Sequence, residues 1–130
     1  MKFLRVNLGG KTINVEDAPE KYIVLGGRGL TSTMINAEVP PKCDALGPEN
    51  KLIFAPGLLS GTSFVNTSRI SIGAKSPLTG TIKESNAGGT IAVALGRLRI
   101  GAVIVEGQVP EAELYILRID AKGGCKPSFR

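Results

Sequence analysis

Phe3, Arg5 and Asn7 alternate with Leu4, Val6 and Leu8, and a period of two predicts a strand. Gly9-Gly10 then turns the chain into Thr12-Ile13-Asn14-Val15, which reads as a β-hairpin. Asp17 to Leu25 is ambiguous, with a short helical turn expected from Pro19. Gly26-Gly27-Arg28-Gly29-Leu30 introduces a helix over Thr31 to Ala37, which stops before Pro40-Pro41. Lys51 to Gly57 reads as a buried strand ending in a break, and Leu58 to Asn66 as a loop of Gly, Ser and Thr. Strands follow at 68–75 and 81–85, joined by Ser76-Pro77-Leu78-Thr79-Gly80. A helix opens at Gly88 or Gly89 and runs to about Leu98, Ala102 to Glu106 is another buried strand, and Leu114 to Ile119 is the last. The tail beyond, with Gly123-Gly124, carries no pattern and reads as truncated or frayed.

These elements predict an α+β class, β-rich, with short, mostly antiparallel strands and two or three helices packed on one side. Gly-Gly, helix and glycine-ended strand recur over 26–57 and 88–107, but the side chains barely match, so a duplication is only weakly suggested.

Composition narrows the function classes. A chain of 130 residues is one domain, 1–130, able to bury roughly two thirds of its unfolded surface. Its 17 glycines exceed the ordinary share of about 7%, so many backbone positions need unusual angles or close approach. Sixteen basic against eleven acidic residues give +5, but the cations are scattered and only 5% of residues are aromatic, with no Trp. A nucleic-acid platform wants a basic stripe interleaved with stacking rings, so no nucleic acid is expected, and an anionic ligand or acidic surface fits better. The absence of His removes imidazole catalysis and ligation within the chain. Cys43 and Cys125 have no metal-ligand spacing and read as reduced structural or surface thiols. The N-terminus alternates and carries Arg5 and Asn7, unlike a signal peptide or membrane span; a cytoplasmic protein with no membrane partner is expected.

The densest candidate chemistry lies between Ser68 and Gly89. If the 76–80 turn folds its strands together, their far ends lie side by side, and Arg69 borders the Asn86-Ala87-Gly88 corner. Arg offers a planar fork that matches phosphate, and the first N–H groups of the helix opening beyond that corner favour an anion. Taken alone, Arg69 reads first as a solvated strand residue, and the pairing with Asn86 is what turns it toward a phosphate site. Gly26-Gly27-Arg28-Gly29 lacks the strand and the later acidic residue of a dinucleotide fingerprint. It is either a plain helix entry or a backbone surface beside a cofactor. Asp44, Glu49, Glu84 and Glu106 are isolated carboxylates read as turn or surface residues. Thr62, Ser63, Thr67 and Ser68 fit either ligand contacts or loop solvation.

Six ordered motifs then acquire a common meaning. Gly26 to Leu30, Asn50 to Thr62, Ser68-Arg69, Lys75 to Gly80, Ser85 to Gly89 and Ala102 to Gly107 together resemble the N-terminal domain of the aldehyde ferredoxin oxidoreductases, from Phe3 to about Ile119. That resemblance implies a tungsten, or molybdenum, bis-pterin cofactor whose metal is held by pterin dithiolene sulfurs. It implies Arg69 at a cofactor phosphate, the Asn86 backbone near the magnesium bridging the two pterin phosphates, and Ala87 and Gly88 against the cofactor. No catalytic residue is carried over.

The family's [4Fe-4S] cysteine run belongs to later domains, and neither Cys43 nor Cys125 matches it. The expectation is therefore a partial N-terminal domain, not catalytically complete alone. It would need the remaining domains or subunit to oxidise aldehydes, with ferredoxin as electron acceptor. The alternative is a stand-alone pterin-cofactor carrier or assembly module.

Overall fold

Alternation in the first strand sends Phe3 to one side and Leu4 and Val6 to the other, and all are buried. The computed structural model describes residues 1–109 and 114–120. Its elements are β1 (Lys2–Asn7), β2 (Thr12–Asp17), a 3-10 turn (Glu20–Tyr22), α1 (Gly27–Glu38), β3 (Lys51–Pro56), β4 (Arg69–Lys75), β5 (Ile82–Gly88), α2 (Thr90–Arg97) and β6 (Ile100–Glu106). The strands form one sheet in the order β2-β1-β6-β3-β4-β5. Only β1 and β6 pair in parallel; the other four pairings are antiparallel. The expected mixture of short, mostly antiparallel strands with helices holds.

The placement of the helices on one side does not. Leu30, Met34 and Ile35 of α1 join Phe3, Ile53, Ala55, Ala102 and Ile104 in one core. Ala92 and Leu95 of α2 join Leu4, Val6, Ile70 and Val103 in another, on the opposite face. The cause lies in the central strands: Ile53-Phe54-Ala55 and Ala102-Val103-Ile104 are apolar at consecutive positions, so both faces require a cover. Burying each Leu, Ile or Met of the α1 stripe is worth about 1.5–3 kcal/mol.

Two boundaries also differ. α1 starts at Gly27, ahead of the expected Thr31, because Gly27 takes φ +53° and bends the chain into the helix. Leu114 to Ile119 is not a strand: only Arg118 makes an isolated bridge, while Leu117 and Ile119 pack against the α2-side core. Its carbon side chains are satisfied by that packing without a ladder. Gly123-Gly124 and Cys125 lie outside the described residues.

Where α1 crosses β4 the approach is close. A Cβ on Gly73 would stand 2.7 Å from the Thr31 Cβ, and Thr31 is wholly buried. Glycine at 73 lets the helix settle on the strand.

Candidate functional site: an anion corner on the α1 face

The turn at Ser76–Gly80 pairs β4 with β5 as the sequence implies. Ser76 Oγ accepts from the amides of Leu78 and Thr79, and the Gly80 amide donates to the Ser76 carbonyl at 2.8 Å. The register sets Arg69 opposite Gly88, Ile70 opposite Ala87 and Ser71 opposite Asn86. Alternation then puts Arg69, Ser71, Glu84, Asn86 and Gly88 on the face that carries α1.

On that face the side chains meet. Arg69 Nε donates to Asn86 Oδ1. Asn86 Nδ2 donates to Ser71 Oγ at 3.1 Å and to Glu84 Oε1 at 3.4 Å. The position a Gly88 Cβ would take lies 3.8 Å from an Arg69 guanidinium nitrogen, so the guanidinium rests beside bare backbone. Ser71 is buried, whereas Arg69, Asn86, Ala87 and Gly88 are exposed. The Ser71 hydroxyl, with help from the Asn86 amide and the nearby Arg28 and Lys83 charges, holds the Glu84 carboxyl below the usual carboxylate range. Ala87, paired with Ile70, projects to the other face, so anything it offers a ligand on this side comes from its backbone.

The helix that starts on the Arg69 face is α1. The Cβ position of Gly27 is 3.5 Å from Ser71 Oγ, while Thr31 and Ile35, further along, lie against Gly73. α1 thus runs along β4 with its N-terminus toward the Arg69 end. That start is capped by Gly26 with no side-chain hydrogen bond, and no acidic residue occupies its first turn. α2, the helix expected to supply this field, begins beyond Gly89 but packs under the opposite face. Sequence reasoning had the glycine cluster at 26–29 and the Arg69 corner as separate features. Only the α1–β4 packing brings them together.

Elsewhere several of the polar candidates have structural partners. Thr62 and Thr67 donate from their hydroxyls to the Leu59 carbonyl at 2.6 and 3.1 Å, holding the 58–67 loop together. Cys43 is a buried free thiol. Glu106 is not the isolated surface carboxylate expected. It pairs with Lys51 and with Arg5 (3.4 Å), and Arg5 also grips Glu38 through both terminal nitrogens at 2.9 Å and Glu16 at 2.7 Å. The Glu38 carboxylate, ahead of Glu16, raises the Arg5 pKa further above its ordinary value. For Lys51 and Glu106 the signal was present, as charged residues at the ends of otherwise apolar strands.

The donor set suits a phosphate-bearing group and not a bare metal. Among the described residues no group of three His, Cys, Asp or Glu side chains is placed to hold a metal ion. The corner offers instead a guanidinium, an amide and open glycine backbone, with nothing near the position of a Gly89 Cβ. Such donors are chemically suited to phosphate oxygens.

Comparison with known proteins gives this corner its context. The profile of the aldehyde ferredoxin oxidoreductase N-terminal domain matches residues 3–124. The tungsten-containing aldehyde ferredoxin oxidoreductase of Thermococcus kodakarensis is 44% identical over 117 residues, covering 88% of this chain and 19% of that protein. Its counterpart from Pyrococcus furiosus is 42% identical over 117 residues, with the same coverage. Among solved structures, the active site complex BamBC of benzoyl coenzyme A reductase, in complex with 1,5-dienoyl-CoA, superimposes with a TM-score of 0.89 at 31% identity, over 99% of this chain and 19% of that one. The chain therefore spans about a fifth of the length of these relatives. It belongs to the aldehyde ferredoxin oxidoreductase family, as a match to that family's N-terminal domain.

Proposed function

We propose that this chain is the cofactor-binding N-terminal portion of a tungsten, or molybdenum, bis-pterin oxidoreductase that oxidises aldehydes to carboxylic acids and passes electrons to ferredoxin. Its own part is to hold the phosphate end of the cofactor. The observation that carries this reading is the Arg69–Asn86 rung, lying beside bare Gly88 on the face that carries α1, whose N-terminus has no side-chain cap.

Each residue has a definable task. Arg69 supplies a fixed cation with in-plane donors for phosphate oxygens. In the free protein it rests on a neutral amide oxygen, which an incoming phosphate displaces more easily than it would a carboxylate. Asn86 belongs to β5, the last strand of the sheet, whose outer backbone groups have no neighbouring strand among the described residues. Its backbone is therefore free to approach a magnesium ion accompanying the phosphates. Gly88 keeps the corner flat. When bound, the metal–pterin group would supply the two-electron chemistry, which the side chains of this corner do not offer.

The relatives' greater length supports the further reading that other domains of the same protein complete the enzyme. Exposed Val24, Leu58, Phe64 and Val65 offer apolar surface for them to cover. No helix among the described residues is long and apolar enough to cross a membrane. The test is to coexpress the chain with the remaining domains of a family member and measure bound tungsten and pterin. Arg69→Ala lowers both if the reading is right; full occupancy in that variant removes Arg69 from the site.

A further inference from the structure

We propose that Arg28, in the first turn of α1, is a second guanidinium of this anion site, and that Glu84 is the counter-ion an incoming phosphate displaces. The proposal rests on the reading of the Arg69 corner as a phosphate site and adds residues to it.

The direction of α1 places Arg28 at the right end of the sheet. Gly27 lies over Ser71 and Thr31 over Gly73, so the first turn of α1, which carries Arg28, is the part of the helix nearest the Arg69 end of β4. Arg28 is exposed, and among the described residues its side chain has no hydrogen-bond or ion-pair partner. Its charge is felt across the helix–sheet boundary by Glu84, whose carboxyl also takes a hydrogen bond from Asn86 at 3.4 Å.

One carboxylate thus feels the Arg28 charge and is tied to the same Asn86 amide that receives Arg69. A carboxylate inside an anion site weakens it by like-charge repulsion. Its position makes sense as a placeholder, screening the two cations from each other until phosphate replaces it. The ligand class this favours is a diphosphate or a pair of phosphate monoesters, large enough to reach both guanidiniums.

The test is calorimetric titration of the full chain with inorganic pyrophosphate at fixed ionic strength, with melting curves to confirm that each variant is folded. Lys42→Gln, in the loop at the far end of β4, controls for loss of one bulk charge. Arg28→Gln and Arg69→Gln each weaken binding about three- to ten-fold, and Glu84→Gln tightens it about two- to five-fold, as expected of charges at solvent-exposed positions. If Arg69→Gln weakens binding and Arg28→Gln behaves like Lys42→Gln, the second guanidinium is wrong and the corner stands. If Glu84→Gln leaves affinity unchanged, Glu84 is no counter-ion. If neither arginine matters, or the wild-type chain does not bind pyrophosphate, the phosphate corner falls as well.

Discussion

Asn50 and Lys75 are joined twice: the Lys75 amide donates to Asn50 Oδ1 at 3.1 Å, and Asn50 Nδ2 donates to the Lys75 carbonyl at 2.9 Å. The side-chain amide acts as one more rung at the end of β4. Asn50 Nδ2 also reaches the Ala45 carbonyl at 2.7 Å, and Lys75 Nζ donates to the Pro41 and Cys43 carbonyls at 2.6 Å. Two motifs that carry the family resemblance therefore hold the 40–47 loop against the sheet. Asn50→Ala strands several part-buried backbone groups, at about 1 kcal/mol each. A loss of about 2–4 kcal/mol in urea unfolding is expected, with unchanged pyrophosphate affinity.

Gly73→Ala puts a methyl group 2.7 Å from the Thr31 Cβ, between a strand and a helix that are both fixed by burial. Overpacking of this kind costs about 1–3 kcal/mol. Because α1 must lift to admit the methyl, and its N-terminus faces the Arg69 corner, the variant should lose anion affinity as well as thermal stability.

Arg5 ties β1 to β2, α1 and β6 through Glu16, Glu38 and Glu106, with the side chains of Arg5, Glu38 and Glu106 each only about a fifth exposed. Removing the guanidinium leaves partly desolvated carboxylates facing one another. Arg5→Ala should therefore destabilise the fold by about 2–4 kcal/mol. Arg5→Ala combined with Glu38→Gln should recover part of that loss.

Glu84 gives a pH dependence of definite sign. Its native pKa lies below the ordinary 4.5, so its contribution to stability is complete above that value and is lost as pH falls through the lowered native value. Melting curves of wild type and Glu84→Gln should differ by a constant amount above pH 4.5 and converge below it. Divergence on acidification would contradict the assignment.

The hairpin, both helices and the β4–β5 return were legible because each follows from local alternation or turn chemistry. The pairing of Arg69 with Asn86 was legible for the same reason, since a short turn dictates which strand ends meet. What was not legible depends on packing. Alternation in β1 alone does not tell which face a helix will cover, although the doubly apolar run Ile53-Phe54-Ala55 carried the signal that both faces need one. The arrival of α1 at the Arg69 corner depends on Gly73 and Thr31, residues distant in sequence whose close fit no local pattern encodes. The apolar stretch ending at Ile119 was misjudged because a core can take up Leu117 and Ile119 without extending the sheet.

The most direct measurement is an amide NMR titration of the isotope-labelled chain with inorganic pyrophosphate. Resonances of Asn86, Gly88 and Gly89 should move together with those of Gly27, Arg28 and Gly29, saturating on one binding curve. Perturbation confined to other basic positions such as Arg97 and Arg99, with both glycine segments silent, would mean that the corner where β5 meets the start of α1 does not hold phosphate.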